Sequence, residues 1–137
     1  MRIALDTNIL IYFLEGIEPC SSRVESLMNS FMKGDNEGII STVNVAEILT
    51  GFYTSGDESG AAKTKMLLTD LTLNNFEIVP VTFDISDLAA KLRAKRGGRL
   101  PDALIVATAI NRGAEILFSN DENIKRFEED IKVSKLE

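Results

Sequence analysis

Histidine is absent from this sequence of 137 residues, and cysteine occurs once, as Cys20. Without histidine the chain lacks the usual general base, the Ser-His-Asp and Cys-His nucleophile systems, and zinc sites that use imidazole. A single cysteine excludes an internal disulfide. Any metal ion must therefore be held by oxygen ligands, and oxygen-only sites select Mg²⁺, Mn²⁺ or Ca²⁺.

Long apolar runs are also missing. No stretch approaches the length that spans a bilayer, and the N-terminus has no secretory signal pattern, because Asp6 and Asn8 interrupt its apolar residues. We therefore expect a cytoplasmic protein without a membrane segment. The length, with 45% hydrophobic and 26% charged residues, predicts a single domain over residues 1–137.

Basic residues are fewer than acidic ones, 15 against 21, which gives a net charge of −6. This balance argues against nucleic acid as a partner, because phosphate contacts need Lys and Arg. However, five basic residues fall within nine positions: Lys91, Arg93, Lys95, Arg96 and Arg99. The run is either a solvated helix end that favours cations or a contact for a nucleic-acid backbone. In the second case Arg96 and Arg99 are the best candidates, because they lie closest to Asp102.

Short β-branched runs alternate with helical patterns along the chain. The runs are "RIAL" (2–5), "GIIS" (38–41), "FEIVPV" (76–81) and "EILF" (115–118). Helical patterns end at Gly34, Gly97 and Gly113, and Asp84 is the expected N-cap of the second. "TSGDESGAA" (54–62) is a turn-rich break. The alternation predicts an α/β fold with three layers, α/β/α, around a central and mainly parallel sheet.

Four acidic residues occupy a shared place in this pattern. Asp6, Glu47 and Asp121 follow predicted strands, and Asp102 begins an almost wholly apolar helix. Ligands of parallel α/β sheets bind beyond the carboxyl ends of the strands. Each acid also has a simpler interpretation: Asp6 and Asp121 as helix caps, Asp102 as a complement to its helix dipole, and Glu47 as a solvated residue.

Clustered carboxylates repel one another unless a divalent cation neutralises them. Such a cation lowers the pKa of a bound water and stabilises charge on a phosphoryl oxygen. The four acids therefore suit phosphodiester cleavage. The water bound to the cation would be the nucleophile, and it would need no histidine to activate it.

At these residues the chain resembles the PIN-domain nucleases, and among them the VapC-type toxins of toxin–antitoxin pairs. The resemblance rests on "ALDTNILI", "STVNVAEIL", "LPDALIVATAI" and "ILFSNDENIKRF", in that order along nearly the whole chain. The family's Thr-x-Asp pattern is replaced here by Ser119, Asn120 and Asp121, which keeps the hydroxyl. Residues 51–80 carry no signature of the family.

The resemblance implies a Mg²⁺- or Mn²⁺-dependent endoribonuclease that acts on structured RNA such as transfer or ribosomal RNA. It implies a homodimer neutralised by a small antitoxin protein. It also implies that Asp6, Glu47, Asp102 and Asp121 hold the metal and carry catalysis, with Thr7, Asn8 and Ser119 orienting them.

Two other functions stay open at this point. One is a PIN-like module that binds RNA or a partner without cleaving. The other is phosphoryl transfer through an aspartyl-phosphate, as in haloacid-dehalogenase-like phosphatases. Those enzymes have an Asp two residues after the first and a Thr two beyond that, where this chain has Asn8 and Leu10.

Overall fold

Five strands and six α-helices make up the chain in a computed structural model that describes residues 1–136 and leaves Glu137 outside the described residues. The strands are β1 (Arg2–Leu5), β2 (Glu37–Ser41), β3 (Phe76–Val79), β4 (Ile116–Phe118) and β5 (Val133–Ser134). The helices are α1 (Thr7–Glu15), α2 (Cys20–Lys33), α3 (Thr42–Thr54), α4 (Glu58–Leu71), α5 (Phe83–Arg96) and α6 (Leu100–Asn111). A 3₁₀ helix covers Glu122–Phe127.

The strands form one sheet in the order β3-β2-β1-β4-β5, and every pairing between neighbours is parallel. Strand β1 lies at the centre, where Ala4 is aligned with Ile39 of β2 and with Leu117 of β4. This sheet confirms the predicted α/β class and its parallel character.

Alternating side chains of the strands belong to two separate hydrophobic clusters, one on each face of the sheet. Ile3 and Leu5 pack with residues of α1, α2, α3 and α4, whereas Ala4 packs with α5, α6 and the 3₁₀ helix. Because successive strand residues point to opposite faces, each strand needs apolar residues at nearly every position. Helices cover both of these apolar faces, which gives the predicted three layers.

Several elements differ from the sequence prediction. Only residues 55–57 separate α3 from α4, so most of the turn-rich segment 54–62 is helical. The cap of α5 is Thr82, whose hydroxyl accepts from the N–H of Ile85, and Asp84 lies inside the first turn instead. Strand β3 ends at Val79, directly before Pro80, and β5 was not predicted. None of the described helices is both long and apolar enough to cross a membrane.

Candidate active site

The direction of strand order changes at β1, because β2 and β3 lie on one side of it and β4 and β5 on the other. A crevice forms beyond the carboxyl ends of strands at such a point. Here a cleft of about 140 Å³ is lined by eight residues, namely Asp6, Thr7, Asn8, Ile11, Glu47, Arg99, Asp102 and Asp121. The four acids selected from the sequence therefore meet in one place, although they come from four different segments.

Asp6 joins β1 to α1 and is almost completely buried, with 4% of its surface exposed. Its Oδ1 accepts from the N–H of Thr7 at 2.8 Å, and its Oδ2 accepts from the hydroxyl of Ser119 at 2.7 Å. Burial raises the pKa of Asp6 from 3.8 to about 6, although these two hydrogen bonds lower it in part. The charges of Asp102 and Glu47 raise the same pKa further. Asp6 is thus held firmly in a position where its negative charge is disfavoured.

Ser119 is oriented by the backbone that follows β4. The N–H of Asp121 donates to the Ser119 hydroxyl oxygen at 3.0 Å. Since a serine hydroxyl has a single proton, that proton is left to point at Asp6. Asp121 itself caps the 3₁₀ helix, accepting from the N–H of Asn123 at 2.9 Å, so its capping role and its place at the cleft coexist.

Glu47 lies on the side of α3 that faces the cleft. Its Oε1 accepts from the hydroxyl of Thr7 at 2.6 Å, a contact between residues 40 positions apart. Thr7 is the first residue of α1, directly after Asp6. The ends of β1 and β2 are adjacent in the sheet, and this brings the first turn of α1 against α3.

Asp102 is buried in the first turn of α6 and forms a bidentate ion pair with Arg99. The Nε and Nη2 atoms of Arg99 donate to the two carboxylate oxygens of Asp102, each at 3.2 Å. Nη2 also lies 3.8 Å from Oδ2 of Asp121. Arg99 is thus a cation placed between two of the four acids.

Three other members of the basic run, Lys91, Arg93 and Arg96, contact residues outside the cleft. Arg96 is bound by both carboxylate oxygens of Asp130 and by Glu129 at 3.2 Å, and it does not line the cleft. Lys91 pairs with Asp87, and Arg93 donates to the carbonyl of Gly98. Arg99 is the one described residue of this run that lines the cleft with the four acids.

The donors at the cleft fit a hard divalent cation in their chemistry, because they are carboxylate oxygens and the chain has no imidazole. Nevertheless, no three acidic side chains within residues 1–136 are grouped tightly enough to hold one metal ion. Arg99 takes both oxygens of Asp102 in this arrangement.

Sequence reasoning did not identify Asn44 as part of this region. Asn44 is fully buried, and its amide donates to the hydroxyl of Thr7 at 2.9 Å. The available signal was an amide one helical turn before Glu47. Asn8, which was selected, lines the cleft and accepts weakly, at 3.4 Å, from the N–H of Asn120.

Residues 3–130 match the family model of the PIN domain, and the chain therefore belongs to the PIN domain family. Its fold is similar to VapBC2 from Rickettsia felis, solved bound to a promoter DNA fragment, with 22% identity over 100% of both chains and a TM-score of 0.77. It is also similar to a toxin–antitoxin complex from Klebsiella pneumoniae, with 25% identity, 98% coverage of each chain and a TM-score of 0.73.

A third similar structure is VapC20 of Mycobacterium tuberculosis, a Sarcin-Ricin loop cleaving toxin. It shares 16% identity, covers 90% of this chain and 92% of its own, and has a TM-score of 0.68. No curated protein matches the sequence. The chain is thus a PIN-domain protein, and these solved structures share its fold.

Proposed function

We propose that this chain is a metal-dependent endoribonuclease that cleaves phosphodiester bonds of structured RNA and serves as the toxin of a toxin–antitoxin pair. One observation carries the proposal: carboxylates from four separate segments line a single cleft at the carboxyl edge of the sheet. Packing requires no such cluster, and its mutual repulsion is costly without a cation.

Asp6, Glu47, Asp102 and Asp121 would hold Mg²⁺ or Mn²⁺. When bound there, such a cation would lower the pKa of a water and stabilise negative charge on the phosphoryl oxygens. The protein's own part is to fix the carboxylates. Ser119 and the N–H of Thr7 hold Asp6, and the Thr7 hydroxyl holds Glu47.

Arg99 is the residue that we expect to contact the RNA. A guanidinium that binds a carboxylate through two N–H groups binds a phosphate in the same manner. Its side chain is 62% exposed, so it can exchange one partner for the other. Arg96 was the second candidate, but its pairing with Asp130 and Glu129 makes it a weaker one.

The direct test is cleavage of a mixed RNA pool containing transfer and ribosomal RNA, with Mg²⁺ or Mn²⁺ and with EDTA. We expect discrete cleavage that requires the cation, and sequencing of the new ends would identify the bond. RNA binding without any cleavage would instead support a non-catalytic PIN-like module. Phosphorylation of Asp6 by a phosphate donor would support the phosphatase alternative.

A small antitoxin is the expected protein partner. An apolar groove of about 480 Å³ between α1 and α3 is lined in part by Leu14, Ile48 and Phe52, and Ile11 lines both this groove and the acidic cleft. A segment seated there would reach the cleft. Co-purification with the product of an adjacent gene should succeed for the natural chain and fail for Leu14→Glu, and equal recovery of both would contradict this docking surface.

We also expect a homodimer in the cytoplasm. Phe83, at the start of α5, is 88% exposed, and we choose it as the position at which to test a contact between two copies of the chain. Light scattering should give twice the chain mass, and Phe83→Glu should reduce it. A monomeric mass for the natural chain would overturn this part of the proposal.

A further inference from the structure

Asn44 lies in the first turn of α3 and is fully buried, yet it is outside the set of residues that line the cleft. Its Oδ1 accepts from the backbone N–H of Ser41 at 2.8 Å, and its Nδ2 donates to Oγ1 of Thr7 at 2.9 Å. A backbone N–H can only donate. It therefore fixes which end of the amide is oxygen, and the NH₂ group must face Thr7.

The orientation of Asn44 decides where the Thr7 proton points. A threonine hydroxyl has one proton, and an NH₂ group that faces its oxygen occupies an acceptor position. The proton is thereby left for Oε1 of Glu47, at 2.6 Å. Such a short contact is typical of a hydroxyl that donates to a carboxylate.

The helix cap does not explain the whole of this arrangement. Ser41 and Asn44 form a reciprocal capping box at the start of α3. That box uses only the oxygen of the Asn44 side chain, and a carboxylate would accept from Ser41 equally well. The NH₂ half of the amide serves Thr7 alone among the hydrogen bonds of the described residues.

We propose that Asn44 is a positioning residue for the metal site: its amide directs the Thr7 hydroxyl toward Glu47 and so holds this carboxylate in the orientation in which it binds the cation. This inference rests on the proposed function. The pattern repeats that of Ser119, where a backbone N–H orients a hydroxyl toward Asp6. Two of the four acids are thus held by hydroxyl groups whose protons are directed by a fixed donor.

A double-mutant cycle between Asn44→Asp and Thr7→Val tests the relay. Asn44→Asp keeps an acceptor for Ser41 but removes the donor, so that the Thr7 hydroxyl turns toward the new carboxylate and leaves Glu47. The substitution also adds charge, yet this effect is present in both halves of the cycle and cancels. The readouts are Mn²⁺ affinity by titration calorimetry and the unfolding equilibrium in EDTA, which verifies that each variant folds.

We expect Asn44→Asp to change Mn²⁺ affinity differently in the Thr7 and Thr7→Val backgrounds, by a factor of about three or more. Thr7→Ser, which keeps the hydroxyl, should retain most of the affinity that Thr7→Val loses. Equal factors in the two backgrounds would overturn the proposal, because Asn44 would then act without Thr7. If Asn44→Asp does not fold, the uncharged and similarly sized Asn44→Leu takes its place in the same cycle.

A matched control is available on the other side of the molecule. The Asn36 amide donates to the Ser30 hydroxyl at 3.2 Å, which is the same kind of contact away from the cleft. Asn36→Asp adds the same charge and should leave Mn²⁺ affinity unchanged. Failure of the proposed function has a separate signature: the natural chain would then bind Mn²⁺ no better than Asp6→Asn. In that case the chain has no metal site at this cleft, and Asn44 cannot position a ligand for one.

Discussion

The two edges of the sheet differ in how their charges are arranged. At the amino edge, Arg2 pairs with Glu37 at 2.8 Å and Arg112 pairs with Glu77 at 3.4 Å, so two cations meet two anions. At the carboxyl edge, four carboxylates share a single cation, Arg99. The amino-edge cleft is the larger, about 440 Å³ against about 140 Å³. Unbalanced and buried charge, rather than the size of the cleft, therefore distinguishes the candidate site.

The largest expected effect is on RNA cleavage. Asp6→Asn and Asp102→Asn each remove a carboxylate from the charge-unbalanced edge and should lower the cleavage rate about 100-fold or more, because cation-assisted catalysis is worth several kcal/mol. Glu37→Gln and Glu77→Gln, which break ion pairs at the amino edge, should leave the rate within about twofold. Comparable losses at both edges would remove the distinction between them.

Divalent cations should stabilise the carboxyl edge selectively. At a concentration of about 100 times its dissociation constant, Mn²⁺ should add about 2.7 kcal/mol to the free energy of unfolding. Thermal denaturation would record this as a rise of several degrees in the Tm of the natural chain and of Glu77→Gln. In Asp102→Asn the rise should be much smaller, and a rise of full size in that variant would exclude Asp102 as a ligand.

The pH dependence of stability isolates the cost of the Asp6 charge. In the native chain the pKa of Asp6 is about 6, against 3.8 as its ordinary value. Between these values the folded state holds a proton that the unfolded state has released, so stability falls as pH rises through this window. The rise of this pKa from 3.8 to about 6 corresponds to about 3 kcal/mol of stability.

Asp6→Asn should therefore be more stable than the natural chain above about pH 6 in EDTA, and the difference should shrink toward pH 4. We expect about 1–2 kcal/mol rather than the full value, because the new amide has one oxygen instead of two, so that one of the hydrogen bonds of Asp6 is lost or must reverse its direction. Urea denaturation at several pH values measures the difference. A difference that does not vary with pH would contradict the cause given for the raised pKa.

The smallest expected effect is on the salt dependence of RNA affinity, and it distinguishes Arg99 from Arg96. With catalysis disabled by Asp102→Asn, Arg99→Gln should reduce the salt dependence of RNA affinity by about 0.7 in log–log slope. Arg96→Gln should leave the slope unchanged and instead lower the free energy of unfolding, because Asp130 loses its partner. Binding titrations at several salt concentrations measure the first effect and urea denaturation the second. An equal change of slope for both variants would restore Arg96 as an RNA contact.

Elements with a strong local pattern were predictable from the sequence. Strands β1 and β2 are continuous apolar runs, and Asp6 directly follows the first, so the sheet and its acidic edge could be read in advance. Helix α4 could not, because its buried positions include Thr64 and Ala61, which give little hydrophobic signal. Thr82 and Asp84 are both common helix caps, and only the three-dimensional structure distinguishes them.

The finer parts of the site depend on contacts between distant residues. Arg96 and Arg99 are equivalent in sequence, yet Asp130, 34 positions away, binds one of them. Asn44 gains its role from Thr7, 37 positions earlier. Neither partner is marked by local spacing. Side chains that orient other side chains are therefore the part of a site that sequence patterns predict least well.

The central place of β1 also sets the order of events during protein synthesis. Asp6 is made 113 positions before Ser119, which binds it, and Asp121 is made later still. A nascent chain that has not yet been translated past these residues lacks the strand β4 beside β1 and one wall of the cleft. The cleft that Asp6 and Asp121 line is therefore complete only in a chain that has been made as far as residue 121.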